Sequence, residues 1–598
     1  MFQILHRDGL ARIGELEINN KKILTPVLLP VLHPFKIDPW ISVVKQMKMD
    51  GVITNSYILK KGGFQEGRDI HDLLGFNGIV MTDSGTFQEH MYGDLNASNL
   101  EMVKYQESIN SDIITIRDIF SEMDHSKEKI KEDISENYRR GKEAISETGK
   151  YVALPIQGGI YRDLRQESAK LMGSLESEYF PIGGIVPFME RYMYSLVIES
   201  ILNAKMNLKS SAVIHAFGAG HPMFFPLLFL AGVDVIDSSA YIKYARDNRI
   251  LTETGTVDLS SFTEELPASP YLDKFNAKEM ESLSQDERTT IIGMHNLYIS
   301  VKELEKIRQQ IRSENMWNYA EYRAHSHPLL LEALRKFHDF YDYTERFEPL
   351  SRRTPVFYTG EETFNRPDVK RFISKAVEDK PGMKIDKKPY SYYSDSPDIF
   401  ALSQFGAISL FLDETYPVAQ SLFPGEYYES SKDITKFEKP EWKEFLINKV
   451  DHIFEYQFGK KLYSFLDRGK ITLQRSKNTG KIRNIFYDGK QILALRASDG
   501  LFSLNYVGAA LIHSNFTYPQ HRVIVDKEVN EFIREGKNIF AKFVEDADSS
   551  IRPHDEVIIV DRDDNLLSYG RAILNREEMI DFNKGIAVKN RLKSDDAS

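Results

Sequence analysis

Eight short apolar runs, each bounded by turn residues, follow one another along the first half of the chain. They cover residues 23–32, 51–59, 79–83, 113–118, 151–157, 179–186, 212–217 and 233–237. Segments typical of helices separate most of them, as in residues 37–49, 126–149 and 192–207. Regular alternation of strand and helix is the pattern of a parallel barrel, so the sequence predicts an α/β fold that begins with a (β/α)8 TIM barrel.

Six of the eight predicted strands end on a polar, glycine or aromatic residue. These ends are Asp83, Asp118, Gln157, the pair Gly183 and Gly184, Phe217 and Asp237. The carboxyl ends of barrel strands meet at one face, where pockets form. The alternative for any single aspartate is that it caps the following helix. Several such ends in a row favour a pocket.

Asp83 and Asp237 each close an apolar run and are each followed directly by serine. If both strands belong to one parallel barrel, the two side chains converge at its carboxyl edge although they are far apart in sequence. Two carboxyl groups in one pocket suit acid/base or nucleophilic chemistry. Asp83 and Asp237 are therefore the candidate catalytic pair.

The chain of 598 residues contains no cysteine, which excludes disulfides, thiol nucleophiles and thiolate metal sites. Its formal charge of −11 argues against a general polyanion binder, so any nucleic-acid contact would be regional. Residues 1–20 lack the apolar core of a signal peptide, and the longest strongly apolar stretch, 224–233, is too short to span a membrane. We expect a cytoplasmic protein with no membrane partner.

Five ordered motifs carry a resemblance to a known family. They are TDSGTFQ at residues 82–88, PIQG at 155–158, IGGIVP at 182–187, FGAGHP at 217–222 and DSSAY at 237–241. Together they resemble the tRNA-guanine transglycosylases. The tail, with IRPHDEVIIVD at 551–561, GRA at 570–572 and GIAV at 585–588, looks like a PUA domain and narrows the resemblance to the archaeal branch.

The resemblance implies a domain order, because in that branch three further domains follow the barrel. It places a TIM-barrel catalytic domain at residues 1–345 and an α/β tRNA-binding domain at 346–430. A small α/β domain would cover residues 431–518. A PUA RNA-binding domain, itself a small β-barrel, would cover residues 519–598.

The resemblance also implies a reaction, the exchange of guanine at position 15 of the tRNA D-arm for 7-cyano-7-deazaguanine (preQ0), a step of archaeosine biosynthesis. Asp237 matches the family nucleophile, which holds the ribose as a covalent intermediate, and Asp83 matches the acid/base. The partners implied are tRNA, guanine and preQ0, and the family suggests a homodimer.

Six further positions match or suit recognition of the base. Asp118 and Gln157 match the residues that read guanine: a carboxylate accepts from its N1 and N2 hydrogens, and a side-chain amide donates to O6. Phe87 and Phe217 offer apolar faces for stacking a flipped base. The backbone amides from Gly184 to Val186 suit its polar edge.

The sequence departs from the family at the structural zinc site that follows the barrel. Its three cysteine positions hold Pro267, Ser269 and Leu272, and only His295 remains. One imidazole cannot hold a tetrahedral zinc ion, so we expect no zinc cofactor, a loop closed by packing, and a histidine that makes an ordinary hydrogen bond within a helix.

Two other functions stay open at the level of sequence. One is an archaeosine synthase paralogue that acts on preQ0 already in tRNA, which the lost zinc site favours and the retained aspartates disfavour. The other is a noncatalytic tRNA-binding subunit, against which the intact candidate catalytic residues argue.

Overall fold

The computed structural model describes residues 2–86, 97–376, 384–386, 399–403, 406–417, 422–429 and 442–592. The chain divides into two units. The first comprises Met1–Arg312 and Tyr319–Phe340, and the second comprises Ser313–Asn318 and Tyr341–Ser598. This division is coarser than the four predicted domains, whose boundaries remain predictions.

A small antiparallel sheet precedes the barrel and was not predicted. It consists of β1 (Phe2–Asp8), β2 (Ala11–Ile18) and β3 (Lys21–Leu24). Arg12 on β2 is buried, pairs with Asp234 at 2.7 Å and donates to the backbone carbonyl of Ala212 at 2.6 Å. Because Ala212 and Asp234 directly precede two barrel strands, this ion pair fixes the sheet to the amino end of the barrel.

Eight parallel strands form the barrel. They are β4 (Val27–Pro30), β5 (Gly51–Asn55), β6 (Ile79–Asp83), β7 (Ile113–Thr115), β8 (Tyr151–Ala153), β9 (Tyr179–Ile182), β10 (Val213–Ala216) and β11 (Val235–Ser238). From β5 to β11 each strand pairs with the next in chain order, and β11 pairs with β4. An isolated parallel bridge between Val31 and Ile53 closes the ring. Every predicted run overlaps one of these strands, so the TIM barrel is confirmed.

Helices alternate with the barrel strands. They are α1 (Trp40–Gln46), α2 (Ser56–Lys61), α3 (Ile70–Leu74), α4 (Asn99–Ser108), α5 (Lys127–Glu147), α6 (Arg162–Gly173), α7 (Val186–Glu190), α8 (Tyr194–Lys205), α9 (Phe225–Leu230) and α10 (Ala240–Arg246). Local side chains fix several of their starts. Ser126 accepts from the third amide of α5, and Ser98 forms a reciprocal capping box with Glu101 at the start of α4.

The elements after the barrel carry the positions of the family zinc site. They are a hairpin of β12 (Arg249–Leu251) and β13 (Thr256–Asp258), then α11 (Ala277–Ser282), α12 (Gln285–Arg312), α13 (Met316–Ala324) and α14 (Pro328–Arg335). The boundary between the two units falls within α13. Across the described ranges, no helix is long and apolar enough to cross a membrane.

The described part of the second unit contains three small sheets. Its strands are β14 (Lys384–Asp386), β15 (Ile399–Ser403), β16 (Gly406–Ser409), β17 (Leu422–Glu429), β18 (Ile471–Arg475), β19 (Ile482–Tyr487), β20 (Lys490–Leu495), β21 (Phe502–Leu504), β22 (Arg522–Val525), β23 (Ile539–Phe540), β24 (Val544–Ala547), β25 (Glu556–Val560), β26 (Leu566–Ala572) and β27 (Ile586–Asn590). The last six form one sheet in the order β23-β27-β26-β25-β22-β24. One apolar core extends from Leu350 to Leu592.

Helices accompany those sheets in the same part of the chain. They are α15 (Tyr341–Thr344), α16 (Pro367–Ala376), α17 (Trp442–Phe458), α18 (Tyr506–Asn515), α19 (Asn530–Arg534) and α20 (Arg576–Asp581). Asn505 and Asn575 cap α18 and α20 by accepting backbone amides of their first turns. The second unit thus builds mixed α/β structure from short elements, as the sequence predicts.

Candidate active site

The predicted site residues lie at the carboxyl ends of the barrel strands. Asp83 ends β6 and Asp237 lies in β11, while Asp118, Gln157, Gly184 and Phe217 follow β7, β8, β9 and β10, and Val186 begins α7. Phe87 lies outside the described residues. The parallel barrel therefore gathers residues from six strands at one face.

Asp83 is held by the neighbouring strand end. The amide of Asn55 donates to its Oδ2 at 3.2 Å, and the hydroxyl of Ser56 donates to its backbone carbonyl at 2.8 Å. The other end of the Asn55 amide is also fixed, because its oxygen accepts from the Ile58 amide at 3.0 Å as the cap of α2. Asn55 therefore presents a donor to Asp83 in one orientation.

Burial raises the pKa of Asp83 to about 7, against the lowering effect of the Gly85 backbone amide. The negative charges of Asp118 and Asp237 raise the pKa further, which also shows that the three carboxyl groups share one electrostatic environment. A carboxyl group that titrates near neutral pH can both give and take a proton during turnover. This is the property expected of an acid/base catalyst.

Asp237 is 8% exposed and is oriented by two donors. The backbone amide of Gly218 lies 2.7 Å from its Oδ1, and Nε2 of His215 lies 3.0 Å from the same oxygen. Within the described ranges no residue donates to its Oδ2. One carboxylate oxygen is thus held and the other is available to a substrate.

His215 was not predicted from the sequence, although it is the one polar side chain in β10, whose residues are Val-Ile-His-Ala and all buried. A lone polar residue inside such a strand needs a buried hydrogen-bond partner. The histidine within this apolar run is therefore the sequence signal that could have identified His215.

Asp118 and Gln157 form one polar surface. The Gln157 amide donates to Oδ2 of Asp118 at 2.6 Å, and its oxygen accepts from the Ser121 backbone amide at 3.3 Å. Burial raises the pKa of Asp118, against the lowering effect of the Gln157 hydrogen bond. Because the amide oxygen of Gln157 faces the Ser121 N–H, its nitrogen and both N–H hydrogens lie towards the Asp118 carboxylate.

Two glycines let the next strand end approach this surface. A Cβ atom on Gly183 would overlap Nε2 of Gln157, and one on Gly184 would lie 3.0 Å from its Oε1. Gly184 also has φ of +72°, a conformation that other residues adopt only with strain. The N–H groups of Gly184 and Val186 donate to no residue that the structure describes, so they remain available at the edge of the site.

Arg165 on α6 supports these strand ends from behind, and it was not predicted from the sequence either. Its buried guanidinium donates to the backbone carbonyls of Ile156 at 2.7 Å and Gly183 at 2.9 Å. None of the described carboxylates pairs with it, and burial lowers its pKa to about 9. Arg165 therefore links the segments that carry Gln157 and Gly184.

Val186 and Phe217 lie on the apolar side of the site. A Cβ atom on Gly218 would lie 2.5 Å from a methyl group of Val186, so the two segments are in close contact. The Phe217 ring stands edge-on to His215 with ring centroids 4.6 Å apart. The site thus combines an oriented carboxylate, a carboxyl group with a neutral pKa and a polar surface flanked by apolar side chains. It suits displacement at a carbon that bears a planar, polar leaving group.

The positions of the family zinc site contain a hydrogen-bonded pair instead of a ligand set. His295, on α12, faces the Ser269 hydroxyl at 2.8 Å through Nδ1 and the Leu251 carbonyl at 3.0 Å through Nε2. Leu272 is fully buried in an apolar cluster with residues such as Met280 and Ile292. Only one of the four positions offers a good zinc ligand, and both of its nitrogens are engaged, so these residues do not fit a tetrahedral zinc ion. His295 thus lies within a helix and makes two hydrogen bonds.

Another group has metal-ligating side chains. Glu122, Asp124 and His125 have ligand atoms within 4.8 Å of one another, and they are the one such group in the part of the chain that the structure describes. The backbone amide of Glu122 donates to Nδ1 of His125 at 3.4 Å, so one imidazole nitrogen already has a partner within the loop. This group lies in the loop that follows Asp118, and Asp124 is exposed to solvent.

Comparison with known families agrees with the resemblance seen in the motifs. The family described as queuine tRNA-ribosyltransferase matches residues 8–329. The patch-forming domain C2 of tRNA-guanine transglycosylase matches residues 448–519, and the PUA domain matches residues 521–592.

Full-length relatives are similar as well. The tRNA-guanine(15) transglycosylases of Methanococcus maripaludis strain C5 and Methanocaldococcus jannaschii are 37% and 38% identical, each over 99% of both chains. That of Pyrococcus abyssi is 38% identical over 99% of this chain and 97% of its own.

Proposed function

The chain belongs to the tRNA-guanine transglycosylase family of pentosyltransferases, and we propose that it exchanges guanine at position 15 of the tRNA D-arm for preQ0, a step of archaeosine biosynthesis. The observation that carries the proposal is the orientation of Asp237, with Oδ1 held by two donors and Oδ2 facing no described donor. We further propose a cytoplasmic homodimer whose substrates are tRNA, guanine and preQ0.

In the first step, Oδ2 of Asp237 attacks C1′ of the ribose. The bond from C1′ to guanine breaks, its electron pair stays with the base, and the Asp83 carboxyl group gives the base a proton. The result is an ester between Asp237 and the ribose, which stores the sugar while the bases change places. The Asp83 pKa of about 7 makes the protonated form available at neutral pH.

In the second step, the incoming preQ0 loses a proton to the Asp83 carboxylate and attacks C1′. The ester bond breaks and its electron pair returns to Asp237 as a carboxylate. Both catalytic groups regain their starting state, so each turnover exchanges one base for another without a further reactant.

Guanine and preQ0 share the edge that Asp118 and Gln157 are placed to read. The carboxylate of Asp118 accepts from N1–H and N2–H of either base, and the Gln157 amide donates to O6. The N–H groups of Gly184 and Val186 face the remaining polar edge, and Phe217, with Phe87 by resemblance, covers a face of the ring. One slot thus holds both bases in turn.

Incorporation of labelled guanine into unmodified tRNA by the purified chain alone tests the proposal. We expect incorporation at position 15, followed by its loss when preQ0 is added. Asp118→Asn should weaken discrimination between guanine and adenine far more than it changes binding of tRNA. Binding of tRNA without exchange would point to a noncatalytic subunit, and activity only on tRNA that already contains preQ0 would point to the synthase.

We also propose that this chain folds without the family's zinc ion, with the pair of Ser269 and His295 in its place. The donor set supports this, because it provides one imidazole whose two nitrogens already have partners. Metal analysis of the purified protein tests it. We expect well below one equivalent of zinc per chain, and one tightly held equivalent would contradict the proposal.

A further inference from the structure

Three polar side chains lie in the barrel interior on three neighbouring strands, at successive levels towards the carboxyl ends of those strands. Tyr179 on β9 lies opposite Val213 on β10, and His215 is two residues further along β10. His215 lies opposite Val235 on β11, and Asp237 is two residues further along β11. Since side chains alternate between the faces of a strand, steps of two keep all three on the same face. The register between the strands therefore places Tyr179 and His215 in a row that ends at Asp237, the proposed nucleophile.

Hydrogen bonds connect these three side chains. The Tyr179 hydroxyl lies 2.9 Å from Nδ1 of His215, whose Nε2 lies 3.0 Å from Oδ1 of Asp237. A carboxylate only accepts, so Nε2 carries the hydrogen, and in a neutral imidazole Nδ1 then accepts from the tyrosine hydroxyl. Burial raises the pKa of Tyr179 well above its usual value, which keeps that hydroxyl protonated.

We infer that Tyr179 and His215 are positioning residues for Asp237, an inference that rests on the proposed function. Tyr179 fixes the tautomer of His215, and His215 together with the Gly218 amide fixes Oδ1, so that Oδ2 points to the substrate. Neither residue touches the reacting atoms.

The same donors act in both chemical steps. When Oδ2 bonds to C1′, Oδ1 becomes the carbonyl oxygen of the ester and keeps its two donors. When preQ0 attacks, the electron pair returns to the carboxylate, and the donors stabilise the charge that develops on Oδ1. Tyr179 and His215, which we call the relay, thus hold Oδ1 so that Oδ2 is the oxygen that attacks C1′. In the second step they help the same carboxylate to leave the ribose.

The barrel provides a matched control beside this relay. The Tyr151 ring stands edge-on to Tyr179 with centroids 6.0 Å apart, and its buried hydroxyl has no hydrogen-bond partner in the described structure. Tyr151→Phe and Tyr179→Phe each delete one buried hydroxyl from neighbouring strands. Only the second deletion breaks the relay.

The first experiment measures the rate of covalent adduct formation with tRNA in a single turnover. We expect Tyr179→Phe to lower this rate about tenfold with unchanged tRNA affinity, and Tyr151→Phe to match the wild type. His215→Leu should lower it on the order of a hundredfold, and His215→Gln, which keeps an N–H donor, should recover part of the loss. Thermal melting of each variant shows whether it is folded.

The second experiment reads the tautomer of His215 without tRNA, by NMR of the full chain with ¹⁵N-labelled histidine and His215→Gln for assignment. We expect the Nε2–H tautomer in the wild type and in Tyr151→Phe, and loss of this single form in Tyr179→Phe. A wild-type Nδ1–H form, or equal adduct rates for Tyr179→Phe and Tyr151→Phe, would overturn the inference. If either result is found while the wild type still forms the covalent adduct with tRNA, the proposed function stands and only the positioning role of Tyr179 and His215 is lost.

Discussion

Two buried histidines, His215 in the barrel and His295 after it, have nearly the same hydrogen bonds and different surroundings. Both are 0% exposed, and each has a hydroxyl at Nδ1, from Tyr179 and Ser269 respectively. The difference lies at Nε2, which faces the carboxylate of Asp237 in one case and the backbone carbonyl of Leu251 in the other.

The partner at Nε2 decides what each histidine does. A carbonyl only accepts, so His295 donates to Leu251 and accepts from Ser269, and burial lowers its pKa to about 4, which keeps it neutral. Its bonds stay within an apolar cluster and stabilise a loop. His215 directs the same kind of bond at a group that faces the substrate site. The acceptor at Nε2 thus distinguishes the structural role of His295 from the positioning role that we infer for His215.

The largest expected effect is on activity, at Asp237, the proposed nucleophile. Asp237→Asn retains an oxygen that accepts from His215 and Gly218 but provides a very weak nucleophile, so guanine exchange should fall by on the order of 10⁴ or more. The melting temperature should change little, because the hydrogen-bond geometry is kept. Radiolabelled guanine exchange and calorimetry measure the two quantities. Exchange within tenfold of the wild type would contradict the assignment.

At His295 we expect the opposite result, a loss of stability with activity retained. His295→Leu leaves the Ser269 hydroxyl and the Leu251 carbonyl without their buried partner, so the free energy of unfolding of the first unit should fall by about 3 kcal/mol. Below the melting transition kcat should stay near the wild-type value. Chemical denaturation and steady-state exchange test this. A variant with unchanged stability and lost activity would mean that His295 acts on the site.

The smallest expected effect concerns Asp83. Its raised pKa suits proton transfer, but the same shift makes the folded state less stable as the pH rises. Its folded pKa of about 7 lies above the ordinary value of 3.8, so the folded state binds this proton more tightly than the unfolded state does. Stability from this group is present at low pH and is lost as pH rises through 7. Relative to Asp83→Asn, the wild type should lose about 1 kcal/mol between pH 6 and pH 8. Parallel pH-dependent unfolding of both proteins checks the sign, and a wild type that gains stability over this range would contradict the raised pKa.

Much of the catalytic unit was predictable from sequence because its signals are local. Each barrel strand is an apolar run of a few residues bounded by turn residues, and the site residues follow these runs directly. The sheet of β1 to β3 was missed because Phe2–Asp8 reads as FQILHRD, a partly charged segment without clear alternation. The predicted strand at 23–32 in fact contains the end of that sheet and then β4.

The supporting residues were not predictable in this way, because their partners are remote in sequence. Arg165 is one charged residue on an amphipathic helix, and its role depends on the Ile156 and Gly183 carbonyls. His215 gains its role from Tyr179 on one neighbouring strand and Asp237 on the other. Only the pairing register of the barrel brings such residues together. At the family zinc site, the sequence shows the lost ligands but not the hydrogen bond between Ser269 and His295.

The most direct test of Asp237 as nucleophile is to locate the covalent bond. Wild-type protein is incubated with tRNA, denatured to trap the adduct and digested, and the ribose-bearing peptide is sequenced by mass spectrometry. We predict that the ribose is attached to Asp237. Attachment to Asp83 or to any other residue, or guanine exchange with no covalent adduct, would contradict the mechanism.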